Sequence, residues 1–338
     1  MSENVSVVRR KKKHISYETK YISQIVKHTF FLENQLEIYN IIKNIPNHVH
    51  YFYIFENASL MMYNDLVVAD KNAYNNIFQK NTYYVLKYRE CKLYSFHEYL
   101  ESILFSKKYI FFVLESYKKI LQCVQLLIPL NIVHNHISKE NLYMDEQKEF
   151  RLIQFQLSMH LTTSNTTSNY LQKYFKEYSP GYVYWPIEFH ILSYLFTNNL
   201  ESISKANIDK IINDVLNKNS MVQQIEIWYP NTISQFREEG IAYWYKYINK
   251  PISDIVKDMF TYYCTWDNMS TSVVFLELLK IQMNTNKHNV FLTKITTLLI
   301  QNIHFVPEKR LSVKQSLLEL DDICYSTPKE IFVEMFTV

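Results

Sequence analysis

The stretch NIVHNHISKENLYM, residues 131–144, brings together side chains that can take part in proton transfer and metal binding. The imidazole of His136, with an ordinary pKa of ~6.5, can accept a proton near neutral pH. Asn141 carries a neutral amide oxygen, and Gln154 supplies another further along the chain. Hard cations such as Mg²⁺ prefer carboxylates to neutral amides. These three positions therefore offer a weak base and two weak ligands, without a negative charge.

Apolar patterns along the chain indicate which elements carry this stretch. Residues 22–27 read as a short strand, and residues 32–45 show apolar side chains at helical spacing. The runs YFYIF at 51–55 and YYVLKY at 83–88 are rich in strand-forming residues. From residue 109 onward, a helical pattern leads directly into the stretch.

These patterns predict an α+β fold in two parts. Residues 21–90 should form a small part with a sheet and a helix, and residues 91–338 a larger, mostly helical part. The chain has 338 residues, 48% of them hydrophobic, which is enough to bury a core. Residues 1–20 are expected to be a disordered tail. Its basic run RRKKKH at 9–14 is a solvated segment, a nuclear address or an anion-binding arm.

Composition excludes few functions, but it bears on the partners and the cellular location of the protein. The formal net charge is +3, from 36 Lys and Arg against 33 Asp and Glu, so nothing in the whole chain demands a nucleic-acid or membrane partner. No apolar run approaches the ~20 residues of a membrane span, and no signal peptide is recognised. Disulfides and metal binding are not expected, because the cysteines are widely spaced, at Cys91, Cys123, Cys264 and Cys324. We expect an intracellular protein that does not enter a membrane.

Several motifs occur in the order in which protein kinases carry them. NIVHNHISKEN resembles the kinase catalytic loop H-R-D-x-K-x-x-N, with His134 at the first histidine and Asn141 at the metal-binding asparagine. LIQFQLS, which follows, resembles the D-F-G segment and has Phe155 at its centre. The resemblance implies a two-lobed protein-kinase-like fold, with a reduced N-terminal lobe and a mostly helical C-terminal lobe.

Later motifs extend the resemblance over nearly the whole chain. WPIE, which ends at Glu188, resembles A-P-E; TWDNMS, which contains Asp267, resembles the aspartate motif of kinase helix F; PEKRLS contains Arg310. The resemblance implies that Glu188 pairs with Arg310 and that Asp267 accepts backbone N–H bonds near His134. In the residues of these motifs, the chain most resembles kinase-like proteins of giant DNA viruses.

The same resemblance implies that phosphoryl transfer has been lost. Kinases use one aspartate as the base and another, with an asparagine, to hold metal ions. Here His136 and Gln154 stand at the aspartate positions, and Ser138 replaces the loop lysine. We therefore expect an inactive pseudokinase that acts as a binding, scaffold or allosteric module, without cofactor or metal. The alternative is a divergent active Ser/Thr kinase that uses ATP and Mg²⁺ through Asn141 and Glu140.

The nucleotide site implied by the resemblance is also incomplete. Kinases cover the phosphates with a glycine-rich loop, since a side chain would block the backbone from approaching. No glycine precedes Gly181. Lys27 is the candidate for the strand lysine and Glu37 for its helix partner. These two residues either pair structurally or form an ordinary surface pair.

The chain is longer than the resemblance implies between two of its motifs. Glu188 and Asp267 are 79 positions apart (267 minus 188). We interpret residues 192–262 as a helical insertion that packs on the larger part and is a candidate surface for a protein partner. A further hypothesis is a nucleic-acid-associated virion protein that uses the basic run at 9–14. If the chain is viral, host cytoplasm or virion is its expected location.

Overall fold

The computed structural model describes residues 7–8, 21–62, 82–104, 108–162, 168–285 and 289–328. Within them the protein is α+β, as predicted, with small antiparallel sheets in its first half and helices through the rest. The basic run at 9–14, and nearly all of the tail expected over 1–20, lie outside the described residues.

The strands are short and antiparallel. They are β1 (Val7–Val8), β2 (Tyr21–Lys27), β3 (Asn57–Met62), β4 (Thr82–Arg89), β5 (Tyr94–Ser95), β6 (Ile132–Val133), β7 (Leu142–Met144), β8 (Phe150–Leu152) and β9 (Met159–His160). In the described residues they form a four-stranded sheet in the order β1-β2-β4-β3, a three-stranded sheet β5-β7-β8, and the pair β6-β9.

Helices make up most of the remainder. They are α1 (Phe30–Ile42), α2 (Phe96–Ile103), α3 (Tyr109–Leu127), α4 (Ser168–Tyr174), α5 (Ile187–Thr197), α6 (Lys205–Lys218), α7 (Ser220–Trp228), α8 (Thr232–Trp244), α9 (Ile252–Met259), α10 (Trp266–Thr285), α11 (Val290–Asn302) and α12 (Val313–Ser326). None of these helices combines the length and apolarity that crossing a membrane requires, within the part of the chain that the structure describes.

The strand and helix expected at the start of the small part are both present. β2 pairs with β4 along its whole length, from Tyr21 opposite Arg89 to Lys27 opposite Tyr83. α1 follows after a short turn, and the Thr29 side chain caps it by accepting a hydrogen bond from a backbone N–H of the first turn. The apolar face of α1 is buried, so the sheet and this helix share one core.

The run at 51–55, predicted as a strand, does not form one. Phe52 makes an isolated parallel bridge to Leu152 of β8. The backbone N–H of Tyr53 donates to Leu152 O at 3.0 Å, and Leu152 N donates to Tyr51 O at 2.9 Å. Phe52 and Phe55 of this run are buried in the core, and the segment lies against β8 instead of in the four-stranded sheet. The edge position of the sheet is taken by β3.

α10 is the central helix of the larger part. Nearly every residue of its first three turns is buried, and it packs against α3, α11 and α7. A helix that is buried on all sides must satisfy its polar side chains internally. Its Asp267 and Asn268 do so through hydrogen bonds to other elements.

The segment expected as an insertion, residues 192–262, forms helices that pack on the rest of the larger part. The indole N–H of Trp244 donates to Phe305 O at 3.0 Å. Gly240 of α8 faces the same phenylalanine so closely that an added Cβ would lie 3.4 Å from its ring. One side of the segment is therefore buried against the rest of the larger part, and its other side is exposed.

Candidate functional site

A carboxylate of the central helix α10 binds the backbone of the loop around His134. Asp267 Oδ2 accepts a hydrogen bond from His134 N at 2.6 Å, and Oδ1 accepts one from Asn135 N at 2.9 Å. The carboxyl group is almost fully buried, and burial raises its pKa to about 6 against the opposing effect of the two N–H donors. Asn135 has φ 55°, a left-handed conformation that asparagine tolerates. The contact expected for Asp267 is thus present.

The ring of His134 has a structural role. Its Nδ1 accepts a hydrogen bond from His136 N at 3.3 Å, so Nε2 carries the proton and donates to Ile153 O at 2.8 Å. Ser158 Oγ donates to the His134 carbonyl at 2.9 Å. Burial lowers the pKa of His134 to about 3, so the ring is neutral at physiological pH. These bonds join the loop to the segment that follows β8.

His136 and Asn141 lie together at the end of the same loop. Asn141 Nδ2 donates to His136 O at 3.2 Å, and Ser138 between them is buried. Burial lowers the pKa of His136, while a hydrogen bond with the backbone of Gln154 and the charge of the nearby Glu140 oppose that shift. The ring Nδ1 is buried without a hydrogen-bond partner among the described residues. His136 is therefore a neutral imidazole with a free ring nitrogen near neutral pH.

Phe155 connects this loop to the small part. It is fully buried, and its ring lies 4.6 Å from His134, 5.5 Å from Tyr39 of α1 and 5.8 Å from Phe52, between centroids. The preceding Gln154 has φ 62° and is half-buried. The structure therefore brings His134, Asn141 and Phe155 into one region, with Gln154 next to it.

The ion pair considered for Lys27 and Glu37 is not formed. Lys27 is exposed at the end of β2, and no salt bridge to it occurs among the described residues. Glu37 Oε1 instead lies 2.9 Å from Nδ1 of His160 in β9. α1 thus presents Glu37 to β9, in the segment after Phe155, and Lys27 is not its partner.

Sequence reasoning missed a polar contact between α1 and that segment. Asn34 Nδ2 donates to Ser158 O at 2.6 Å, and the Tyr174 hydroxyl donates to the same carbonyl at 2.9 Å. The Tyr170 hydroxyl donates to Asn34 Oδ1 at 3.2 Å. Asn34 is buried at 5% exposure, and the adjacent Gln35 is buried as well. Two amides among the apolar residues of this helix were the available signal.

Glu188 and Arg310 form the buried pair that the motif order implied. Arg310 Nη1 and Nη2 donate to the two carboxylate oxygens, each at 2.8 Å, and both side chains are at most 1% exposed. Trp266 Nε1 donates to Glu188 Oε1 at 3.1 Å, and Arg310 Nε donates to His304 O at 2.7 Å. The remaining hydrogen-bonding capacity of both charges is thus largely used, as a buried pair requires.

The side-chain oxygens at the two expected metal-binding positions of this site are neutral. Asn141 and Gln154 carry amide oxygens, and the described residues hold no group of three or more His, Cys, Asp or Glu side chains arranged to bind a metal ion. No protein-family model matches the chain, and no curated protein matches its sequence.

Proposed function

We propose that this protein is a catalytically inactive, protein-kinase-like module, a pseudokinase, with a reduced N-terminal lobe at 21–90 and a mostly helical C-terminal lobe at 91–338. Two contacts far apart in sequence support the proposal: Asp267 holds the loop at His134, and Glu188 pairs with Arg310. They are the skeletal contacts that the kinase resemblance implies.

The observation that carries the inactive assignment is the neutral chemistry within this skeleton. His136 and Gln154 occupy the positions where the resemblance puts a basic and a metal-binding aspartate. Ser138 cannot supply the charge of the loop lysine. If each loss costs ~3–4 kcal/mol of transition-state stabilisation, the rate falls by roughly 10² to 10³ per position. Such effects are not additive, but together they leave negligible phosphoryl transfer.

The experiment is an assay of the purified full chain with ATP and Mg²⁺ or Mn²⁺. We expect no phosphate incorporation into generic substrates or into the protein itself above background, and no thermal shift with Mg-ATP. The control is Asn141→Ala, which removes the retained metal-type residue. Robust incorporation that disappears in Asn141→Ala would refute the pseudokinase proposal.

One observation favours the alternative of a divergent active Ser/Thr kinase. The ring nitrogen Nδ1 of His136 has no partner among the described residues and so has a lone pair free for a proton, although burial lowers the pKa of the ring and makes it a weaker base. In that case ATP and Mg²⁺ are the cofactors, with Asn141 and Glu140 near the metal. Activity that is lost in His136→Phe but retained in His50→Phe, an exposed histidine outside the loop, would support it.

For a pseudokinase, function lies in a binding surface. We propose that the exposed side of residues 192–262 contacts a protein partner, and that nucleic acid is involved through the run at 9–14 if at all. A giant-virus origin, with host cytoplasm or virion as the location, belongs to the same proposal. Deleting residues 9–14 and measuring salt-dependent nucleic-acid binding separates the two kinds of partner.

A further inference from the structure

A large cavity lies on the protein away from the His134 loop. Its volume is about 910 Å³, and it is bounded by the end of β4, by residues 48–56 and by the turn between β7 and β8. Its walls include aromatic side chains, among them Tyr53, whose ring stacks on Tyr88 with centroids 5.5 Å apart. Ligand sites commonly combine such apolar walls with a few oriented polar groups.

Arg151 supplies an oriented polar group in this cavity. Its Nη2 donates to Oδ2 of Asp145, a carboxylate with 1% exposure. Asp145 Oδ1 in turn accepts the backbone N–H groups of Gln147 at 2.9 Å and Glu149 at 3.0 Å. The guanidinium is thus held by a carboxylate that the turn itself holds in place.

Most hydrogen-bond donors of this guanidinium remain unused. Among the described residues, the Arg151 side chain makes one hydrogen bond, to Asp145. Its Nε is buried without a partner there. An arginine presents five N–H donors in a plane, which suit a carboxylate or a phosphate. A fixed guanidinium with free donors beside a large cavity is prearranged for a second oxyanion.

The charges on the cavity wall favour the same class of ligand. Four Lys or Arg side chains line it, against three Glu. Arg89 and Glu56 neutralise each other, since Arg89 Nε donates to Glu56 at 3.0 Å, which leaves three cationic side chains against Glu90 and Glu146. Glu146 is exposed at the turn. The Asp145 that holds Arg151 does not line the cavity.

We propose that this cavity is a binding site for an anionic ligand, a phosphate or carboxylate attached to an apolar group, with Arg151 as its anchor. The ligand would touch both the end of β4 and the turn between β7 and β8, so it would link the small sheet to the larger part. This proposal does not depend on whether the protein is a pseudokinase.

Cys91 provides a direct readout because it lines the cavity. Its free thiol is half-buried, as are those of Cys264 and Cys324, which lie outside the cavity. The full chain is alkylated with iodoacetamide at fixed ionic strength, with phenyl phosphate, phenylacetate or neutral benzyl alcohol present, and each thiol is followed by peptide mass spectrometry. At a probe concentration ten times Kd, alkylation of Cys91 should slow about tenfold, with the other two thiols unaffected.

The two anionic probes distinguish the source of the oxyanion. Stronger protection by phenyl phosphate assigns a phosphate ligand, and stronger protection by phenylacetate assigns a carboxylate. Equal protection by benzyl alcohol, or no selective protection of Cys91 by any probe, overturns the proposal.

Variants test the anchor. Arg151→Gln should weaken protection about tenfold or more, since a charge-assisted hydrogen bond is lost. Because this change also strands Asp145, a second variant avoids the buried pair: Glu146→Gln removes an exposed negative charge from the cavity wall and should strengthen binding. Glu149→Gln makes the same change of charge in the same turn, outside the cavity, and should have no effect. Unchanged protection in both Arg151→Gln and Glu146→Gln contradicts the assignment.

Discussion

His136 and Gln154 set the chemistry available at the His134 loop. Both are uncharged near neutral pH, and the loop geometry around them is intact. Under the proposed function, the small part lacks the means to hold a triphosphate as well, because no glycine precedes Gly181.

Restoring the carboxylates should accordingly fail to restore activity. In the double variant His136→Asp with Gln154→Asp, we expect ATP turnover to stay at background, since no glycine precedes Gly181 to let a backbone approach phosphate. Turnover is measured by release of labelled phosphate, with Asn141→Ala added as the control. Turnover that depends on Asn141 would mean that only the two carboxylates were missing.

A buried histidine outside the site should govern part of the pH dependence of stability. His190 is fully buried, and burial lowers its pKa to about 3. The unfolded chain protonates this ring below a pKa of ~6.5 and the folded chain does not, so stability falls as pH decreases from there toward the folded pKa. The slope contributed by this residue is ~1.4 kcal/mol per pH unit.

The variant His190→Leu should remove that contribution. Between pH 7 and pH 5, the parent protein should lose about 2 kcal/mol more of its free energy of unfolding than the variant does. Urea unfolding at a series of pH values measures the difference. His50→Leu, at an exposed histidine, should keep the parental slope. Parallel curves for His190→Leu and the parent would contradict the expected role.

At the scale of elements, α1 is positioned by neutral hydrogen bonds and by a histidine–carboxylate contact. Asn34 binds the carbonyl of Ser158, and Glu37 contacts His160, so residues three apart on one face of the helix contact the segment after Phe155. Lys27 has no part in this arrangement. The position of α1 should therefore not depend on a bound nucleotide.

Removing the amide of Asn34 tests this attachment. Asn34→Ala leaves a buried carbonyl with one donor fewer and should lower the free energy of unfolding by about 1–3 kcal/mol. Asn44→Ala is the matched control, because Asn44 is exposed just after α1 and its side chain donates locally, to Asn40 O. Urea unfolding compares the two. Equal, small effects would show that the buried bond does not stabilise the helix.

At the scale of the whole molecule, two contacts join distant parts of the chain. Asp267 bonds to the loop at His134, and Glu188 pairs with Arg310 across 122 positions. Each ties a central helix to a distant segment through a buried carboxylate. They are therefore the contacts whose loss should affect the fold as a unit.

Removing one partner of the Glu188–Arg310 pair should strongly destabilise the fold. Glu188→Ala and Arg310→Ala should each lower the free energy of unfolding by about 3–5 kcal/mol, since each strands a buried charge. The double variant should lose less than the sum. Lys210→Ala, in an exposed pair with Asp214, should cost under ~1 kcal/mol. Small, additive effects at 188 and 310 would contradict the prediction.

Much of the arrangement was predictable from local patterns and the order of motifs. Periodicity indicated β2, α1 and α3, because apolar spacing reflects which face of an element is buried. The motif order identified the partners of Glu188 and Asp267, although neither partner lies close in sequence. What such reasoning supplied was the list of residues that must meet.

The tertiary structure alone decided which way individual side chains turn. Glu37 faces His160 and not Lys27, because the direction of a helical side chain depends on how the helix is rotated in its packing. The run at 51–55 went to the core and to β8, since long-range pairing overrides local strand propensity. The Arg151 cavity depends on three segments that only the folded chain brings together. Sequence therefore determined the residue types and the contacts that the motifs imply, and packing determined the contacts that no motif specifies.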